Sequence, residues 1–162
     1  MITQTRLKEL LDYFDGTLVW RVSLNIKAQK GQTAGSVNAK GHVNVQVDKK
    51  MYALHQLVYL YHHGVIPDEI DHRDRNKLNN RIENLRPCTS SQNKGNIQLL
   101  PTNTSGYRGV SLNARSQKWH AQIKIHGKQT YLGRFDTPEE AAMLYNQAAI
   151  EHFGEFAFLN NV

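Results

Sequence analysis

The stretch from Ile70 to Asn96 holds the side chains of this sequence that are best suited to chemistry. Asp71 and His72 stand side by side, and Asn93 follows downstream of a polar loop. A neutral imidazole takes a proton from water near pH 7. A carboxylate and a carboxamide bind a hard divalent cation such as Mg²⁺ and leave positions for phosphate and water. These residues predict metal-assisted hydrolysis of a phosphodiester, with His72 as general base and Asp71 and Asn93 as metal ligands.

The charge of the chain indicates the kind of partner it meets. The 162 residues carry a formal net charge of +6, and the sequence pI is about 9.5. Basic proteins most often bind a polyanion, and nucleic acid is the commonest. An ordinary basic protein is the alternative that charge alone leaves open. Hydrophobic residues make up 40% of the chain, which suffices for one domain or two small ones.

Cys88, the single cysteine, bears on the compartment and on the type of metal site. One cysteine cannot form an internal disulfide, which fits a reducing compartment. It has no CxxC partner, so a zinc site built on thiolates is not expected. No apolar stretch is long enough to span a bilayer, and the N-terminus lacks the apolar region of a signal peptide. We therefore expect action inside the cell, in the cytoplasm, without a membrane partner.

A strand, a loop, a second strand and a helix are predicted to position the candidate residues. Ile70–His72 ends the first strand, and Leu85–Cys88 is the return strand after the polar loop. Thr89 or Ser90 then caps a helix that carries Asn93. This β-β-α arrangement brings the end of the first strand against the helix. Asp71, His72 and Asn93 are therefore expected to converge.

The elements upstream follow from periodicity and from glycines. Apolar residues at helical spacing predict a helix that starts at Thr5 and is ended by Gly16. A second helix is predicted over Leu54–His63 and ends at Gly64. His55, at the start of that helix, either makes a structural hydrogen bond or faces the Asp71–His72 strand. Strands are predicted at Thr17–Val22, Ala34–Val37, Gly41–Val47 and Met51–Leu54.

Four motifs in this region occur together in a fixed order. They are H-Q-L-V (55–58), I-D-H-R-D (70–74), N-N-R-I-E-N-L-R (79–86) and Q-N-K-G-N (92–96). In this order they resemble the HNH endonucleases, most closely the homing endonucleases of phages and mobile introns. The resemblance covers roughly 51–97 and implies a β-β-α-metal fold with His72 as general base. It also implies that Asn84, the central asparagine, is catalytic by bracing the loop and orienting His72.

The same resemblance implies which metal and which DNA contacts to expect. The final histidine of the family name is Asn93 here, which makes Mg²⁺ or Mn²⁺ more plausible than zinc as the one divalent cation. Asn96 is a second candidate ligand. The basic residues expected to meet the DNA backbone are Arg73, Arg75, Lys77, Arg81 and Arg86. Arg86 is also a candidate to hold the phosphate.

The chain changes character after Asn96. Ile97–Ser105 contains Pro101 and polar residues and predicts a linker. Beyond it, three strands are expected at Gly106–Asn113, Trp119–His126 and Thr130–Phe135. Thr137 then caps an alanine-rich helix, whose small side chains allow close packing on a sheet.

A second resemblance covers nearly all of 105–160. It rests on Y-R-G-V (107–110), W-H-A-Q-I (119–123), Y-L-G-R-F (131–135), E-E-A-A-M-L-Y-N-Q-A-A (139–149) and F-L-N (158–160). These motifs resemble the plant APETALA/ethylene-response-factor DNA-binding domain, which implies a three-stranded sheet in the major groove. The residues at or beside DNA-facing positions would be Arg108, Ser111, Asn113, Arg115, Gln122, Lys124 and Tyr131. The aromatic and apolar residues Trp119, Leu132, Phe135, Tyr145 and Phe153 are expected in the core.

Together these features predict an α+β protein with two domains. Residues 1–98 would form the β-β-α-metal HNH nuclease domain, and 104–160 a three-stranded antiparallel sheet packed on one helix. The predicted function is a metal-dependent DNA endonuclease, homing or phage-encoded, acting on double-stranded DNA in a bacterial host cell. A monomer with one active site should nick, and a dimer on DNA is left open. The rivals are a catalytically inactive DNA-binding regulator and an RNA nuclease; a groove-contacting sheet argues against the second.

Overall fold

The computed structural model describes residues 1–97, 99 and 102–162 of the chain. Pro101, which the sequence placed in the linker, lies outside the described residues. The fold divides into a first unit, Met1–Cys88, and a second unit, Thr89–Val162. The predicted domains, 1–98 and 104–160, stay a prediction from sequence. No helix within the described residues is long and apolar enough to cross a bilayer.

The first unit opens with helix α1, Gln4–Leu10, whose N-terminus is capped by Thr3. Strands β1 (Leu11–Phe14) and β2 (Thr17–Trp20) follow as an antiparallel hairpin. The prediction of one helix from Thr5 to Gly16 is therefore wrong at both ends. Asp15 and Gly16 adopt φ values of 46° and 84°, which is the backbone of a tight hairpin turn. The strand starts because this turn pairs it with β2.

A three-stranded antiparallel sheet and one helix complete the larger core of the first unit. Its strands are β3 (Ser36–Val37), β4 (Val43–Val47) and β5 (Lys50–Ala53), with β4 in the centre. Helix α2 spans Leu54–His63 and ends at Gly64 with φ of 76°. The predicted alternation in β4 and the predicted bounds of α2 are both confirmed. The buried side chains of β4 and α2 pack into one cluster with α1 and β2.

The polar stretch is framed by two short strands. Strand β6 spans Glu69–His72 and pairs antiparallel with β7, Leu85–Cys88. A turn of 3₁₀ helix, Ile82–Asn84, leads into β7. The register sets Asp71 opposite Arg86 and His72 opposite Leu85. The predicted strand–loop–strand arrangement is confirmed, and it places Asp71 and His72 at the end of β6.

The second unit begins with helix α3, Ser90–Gly95, which Thr89 caps. Strands β8 (Val110–Asn113), β9 (Lys118–Ile125) and β10 (Lys128–Phe135) form an antiparallel sheet with β9 in the centre. Helix α4, Pro138–Phe153, starts at a capping box between Thr137 and Glu140 and packs its alanine face on the sheet. The α+β class and the three-stranded sheet on one helix are confirmed. The predicted core aromatics are buried or half-buried.

Candidate active site and nucleic-acid interface

Asp71 is held in a buried ion pair. The Nε and Nη2 atoms of Arg86 each lie 2.8 Å from Oδ2 of Asp71. Both side chains are only 6% exposed, so the guanidinium supplies the positive charge that a buried carboxylate needs. The predicted contact of Arg86 with phosphate stays a prediction, since this guanidinium is turned towards Asp71.

His72 is fixed by a hydrogen bond to a buried asparagine. Its Nε2 lies 3.1 Å from Oδ1 of Asn80, and Nδ2 of Asn80 donates to the carbonyl oxygen of Leu78 at 3.1 Å. The amide nitrogen therefore faces Leu78, and the amide oxygen accepts a hydrogen bond from the imidazole. Nε2 of His72 carries the hydrogen, which leaves the lone pair on Nδ1. Asn80 was not predicted as a site residue, although it lies in the quoted N-N-R motif.

Two further imidazoles surround His72. The ring of His55 on α2 lies 5.2 Å from that of His72, and His42 lies 5.4 Å from His55 and 6.1 Å from His72. Burial, and then the neighbouring histidines, lower the pKa of His55 from 6.5 to about 4. Burial also lowers the pKa of His42. Both rings are therefore neutral near pH 7, and the wall around His72 carries no positive charge from them. Of the two arrangements left open for His55, the structure places it towards the strand that ends in His72.

Asn84 braces the loop between the strands. Its Nδ2 donates to Oδ1 of Asp74 at 2.9 Å and to the carbonyl oxygen of Asn79 at 2.7 Å. Its Oδ1 accepts from the Asp74 backbone at 3.0 Å, and its carbonyl oxygen accepts from the Arg73 backbone at 2.9 Å. Burial opposes the shift, but hydrogen bonds from Asn79, the Asn76 backbone and Asn84 keep the pKa of Asp74 below its ordinary value. A catalytic role for Asn84 stays a prediction.

The remaining basic side chains of the loop are exposed. Lys77 donates to the carbonyl oxygen of Lys40 at 3.1 Å, and Arg81 pairs with Asp15 at 2.7 Å. Exposed contacts of this kind are weak, so the two side chains can readily leave them to bind phosphate. The exposed set is Arg73, Arg75, Lys77 and Arg81, so four of the five predicted backbone contacts lie at the surface and Arg86 does not.

Asn93 lies on α3 and so belongs to the second unit. The capping box of α3 joins Thr89 and Gln92, and the Asn93 backbone donates to the Thr89 carbonyl at 2.9 Å. The Asn93 side chain is half-buried, and Asn96, the second candidate ligand, is 6% exposed. The convergence of Asn93 with Asp71 and His72 stays a prediction.

The sheet of the second unit presents a polar outer face. Gln122 and Lys124 alternate along β9 with the buried Ala121 and Ile123. Ser111 stands opposite His120, and Gln122 opposite Tyr131. Four of the predicted DNA-facing residues therefore share one face: Ser111, Gln122, Lys124 and Tyr131.

Two residues on that outer face were not predicted. His120 and Arg134 stand opposite each other across β9 and β10. The ring of His120 also meets Tyr131 edge-on, with centroids 5.4 Å apart. Alternation along β9 was the signal for His120, which has the parity of Gln122 and Lys124. Alternation gave no signal for Arg134, because a β-bulge between Tyr131 and Gly133 shifts the register of β10 and turns Arg134 to the outer face.

The other three predicted DNA-facing residues are placed differently. Oδ1 of Asn113 accepts from the backbones of Arg115 and Ser116 at 3.0 Å each, which shapes the β8–β9 turn. Arg115 is exposed on that turn. Arg108 directs its guanidinium to the carbonyl oxygens at the end of α3.

The ligand types fit a hard divalent cation. Asp71 offers carboxylate oxygen and Asn93 carboxamide oxygen, which Mg²⁺ and Mn²⁺ prefer. Arg86 contacts Oδ2 of Asp71, and an ionised carboxylate has about four acceptor sites on its two oxygens. Burial, then Asp71 and Glu69, raise the pKa of Cys88 to about 11, which makes it unsuitable as a thiolate ligand. Among the described residues, no three or more His, Cys, Asp or Glu side chains are grouped to hold a metal; a carboxamide lies outside that set.

Comparison with known proteins agrees with this division of sites. Residues 52–94 match the HNH endonuclease family, and residues 105–155 match the AP2 domain. A protein of Acanthamoeba polyphaga mimivirus that is named as an HNH endonuclease is 38% identical over 73% of this chain, and the match covers 62% of its length. Protein 3.8 of Escherichia phage T7 is 34% identical over 54% of this chain, which covers 72% of its length.

The C-terminal part has plant relatives. APETALA2-like protein 2 of Oryza sativa subsp. indica is 46% identical over 35% of this chain, and only 13% of that protein is covered. This match is shorter than those to the mimivirus and phage proteins. The two domain matches and these relatives show that the chain belongs to the HNH endonuclease family and carries an AP2 domain.

Proposed function

We propose that the protein is a metal-dependent endonuclease that hydrolyses phosphodiester bonds in double-stranded DNA. The observation that carries the proposal is the end of β6, where Asp71 and His72 lie buried in the HNH region. There His72 is held by Asn80 with its lone pair on Nδ1. A fixed imidazole beside a carboxylate, in a basic setting, suits the activation of water at a phosphate.

In the proposed reaction, Nδ1 of His72 takes one proton from a water molecule. The water oxygen forms a bond to phosphorus, and the bond from phosphorus to the leaving oxygen breaks. Asp71 and Asn93 would hold the divalent cation. When bound, Mg²⁺ or Mn²⁺ supplies positive charge for the phosphate and the leaving oxygen. Asn84 keeps the loop in place while Asn80 keeps the imidazole in one tautomer.

In this proposal, each of the two units contributes contacts with DNA. Exposed arginines and Lys77 of the β6–β7 loop would meet backbone phosphates. The outer face of the β8–β10 sheet would lie in the major groove and supply much of the site choice. The phage relative supports action in a bacterial host cell, and a homing or phage-encoded role is part of the proposal.

Cleavage of supercoiled plasmid tests this function. With Mg²⁺ or Mn²⁺ we expect the wild-type protein to produce nicked circles. His72→Ala should lower the cleavage rate by about 10²- to 10⁴-fold, since it removes the base. His63→Ala is the matched control, because His63 is exposed at the end of α2 and should cut like wild type. Equal rates for His72→Ala and wild type would exclude His72 as the base.

A DNA-binding regulator without nuclease activity is the second candidate. Two observations favour it: the likeness of the C-terminal domain to plant AP2 proteins and the guanidinium of Arg86 on Asp71. This candidate predicts DNA binding in gel-shift experiments but intact plasmid with either metal. Binding with cutting that requires metal excludes it.

A further inference from the structure

Helix α3 of the second unit is short and depends on contacts for its shape. It has six residues, and helices of this length are unstable alone in water. Its last carbonyl groups have no partner within the helix. Nη1 of Arg108 donates to the carbonyl oxygens of Gly95, at 2.9 Å, and of Ile97, and Nη2 donates to that of Lys94. The guanidinium therefore caps the C-terminal end of α3, where a positive charge is favoured.

Arg108 is itself held by the end of the chain. Oδ1 of Asn160 accepts from the Arg108 backbone at 2.7 Å, and Nδ2 of Asn160 donates to the Arg108 carbonyl at 3.1 Å. Asn160 is 7% exposed and exchanges two more hydrogen bonds with Asn146 on α4. The Phe158 ring lies 5.8 Å from Cζ of Arg108. Fixed at its backbone and packed on its side chain, Arg108 loses little entropy when it caps α3.

Gly95 completes the attachment of α3. The Phe158 backbone donates to the Gly95 carbonyl at 3.1 Å. A Cβ atom at Gly95 would lie 2.9 Å from Cγ of Phe153 on α4. The helix therefore lies against α4 with no space for a side chain at Gly95, and the contacts described above all join α3 to residues of the second unit.

We propose that Arg108 is a positioning residue for Asn93: it fixes α3 and thereby the carboxamide that binds the cation. The proposal rests on the proposed function, in which Asn93 is a metal ligand. It assigns Arg108 a role different from the DNA contact that the AP2 resemblance implies. In this proposal, Arg108 of the AP2 domain positions a candidate ligand on α3 of the same unit.

The test compares Arg108→Gln with wild type in the full-length protein. Four quantities are measured: the Mn²⁺ concentration for half-maximal plasmid nicking, Mn²⁺ binding by electron paramagnetic resonance, DNA affinity in EDTA, and amide exchange across 90–97. We expect both metal midpoints to rise about 10-fold, the lower end of the effect of residues that orient metal ligands. DNA affinity should stay within twofold of wild type. Amide exchange across 90–97 should become faster.

Three further variants separate the cap from DNA binding. Gly95→Ala should raise the metal midpoints in the same way, because it forces α3 away from Phe153 without altering the outer face of the sheet. Lys124→Gln should do the opposite, lowering DNA affinity while the metal midpoints stay unchanged. Arg108→Lys should give an intermediate metal midpoint, since an ammonium keeps the charge but not the fork of donors.

The outcomes are distinct. A fall in DNA affinity with unchanged metal midpoints in Arg108→Gln would overturn the proposal in favour of a DNA contact. Unchanged amide exchange across 90–97 would show that Arg108 does not hold α3 and would overturn it as well. If wild type neither cuts DNA nor binds Mn²⁺, the proposed function fails, and the role in metal binding with it. The exchange rates would still decide whether the cap exists.

Discussion

At the scale of single residues, the hydrogen bonds of the candidate base decide what it can do. A histidine serves as base only through the nitrogen that lacks a hydrogen, and the amide of Asn80 selects that nitrogen by accepting from Nε2. Asn80 is 2% exposed, so the bond is shielded from bulk solvent. In the proposed reaction, Asn80 would therefore act by fixing the imidazole, without any contact with the reacting atoms.

Asn80→Asp and Asn80→Ala test this role. A carboxylate against Nε2 stabilises the protonated imidazole, so Asn80→Asp should move the acid limb of the profile of kcat/KM against pH to higher pH by about one unit or more. Asn80→Ala should lower kcat about 10-fold or more without moving the limb, because the ring loses its fixed tautomer. Asn25→Asp, the same change in an exposed loop, should leave the profile unaltered. A profile that Asn80→Asp does not move would contradict the assignment.

His55 gives the first unit a stability that depends on pH. Its pKa in the folded state is about 4, below the ordinary 6.5. Between these values the unfolded chain binds a proton that the folded chain does not, so stability rises with pH from 4 to 6.5 and is lost as pH falls. The loss amounts to at most about 3.5 kcal/mol, because a pKa difference of one between the folded and unfolded chain corresponds to about 1.4 kcal/mol.

Chemical denaturation of wild type and His55→Gln at a series of pH values measures the effect. The variant should be less stable near pH 7, where it loses packing, but its free energy of unfolding should vary less between pH 4 and 6.5. His63→Gln, whose ring is exposed, should keep the slope of wild type. Parallel curves for His55→Gln and wild type would rule out His55 as the source of the slope.

At the scale of elements, the segments where local signals agree were predictable from sequence. Helix α4 has a cap, a proline in its first turn and acidic residues near its start, and helix α2 ends at a glycine. The strand Leu11–Phe14 was not predictable from sequence, because its apolar spacing also fits a helix. The Asp15-Gly16 turn and the pairing with β2 decide that it is a strand.

The candidate site follows the same division. Asp71 and His72 are neighbours in sequence, so their proximity needed no tertiary information. The Asp71–Arg86 pair depends on the register of β6 with β7, which sequence alone leaves open. The bonds of Asn80 to His72 and of Arg108 to α3 depend on loop paths that no periodicity encodes.

Gly109→Ala tests how closely α4 approaches the sheet. Gly109 has φ of +72°, and a Cβ there would lie 2.2 Å from Tyr145 and 2.5 Å from the Gln122 carbonyl. The expected cost to the second unit is about 2–3 kcal/mol, the sum of overpacking and of a left-handed backbone. Gly127→Ala is the matched control, because its φ is +82° but nothing lies within 4 Å; it should cost only about 1 kcal/mol. Urea denaturation followed by Trp119 fluorescence measures both, and equal losses would contradict the close approach.

At the scale of the whole molecule, both units place basic residues where they can meet phosphate. The net charge of +6 attracts DNA from a distance, but the location of each charge decides whether it contributes a contact. Lys124 lies exposed on the outer face of the sheet, whereas Lys8 on α1 lies 5.0 Å from the Tyr61 ring. Removing either one lowers the net charge by the same amount, which makes Lys8 a matched control for Lys124.

The dependence of DNA affinity on salt separates a direct phosphate contact from long-range attraction by the net charge. Each phosphate contact contributes about 0.9 to the slope of log K against log salt concentration, so Lys124→Gln should reduce the slope by about that amount and weaken binding at low salt. Lys8→Gln should leave the slope close to wild type, because a charge that releases no counterion contributes only to long-range attraction. Fluorescence anisotropy in EDTA at several salt concentrations gives both slopes. Equal reductions in the two variants would show that net charge, and not the outer face of the sheet, governs binding.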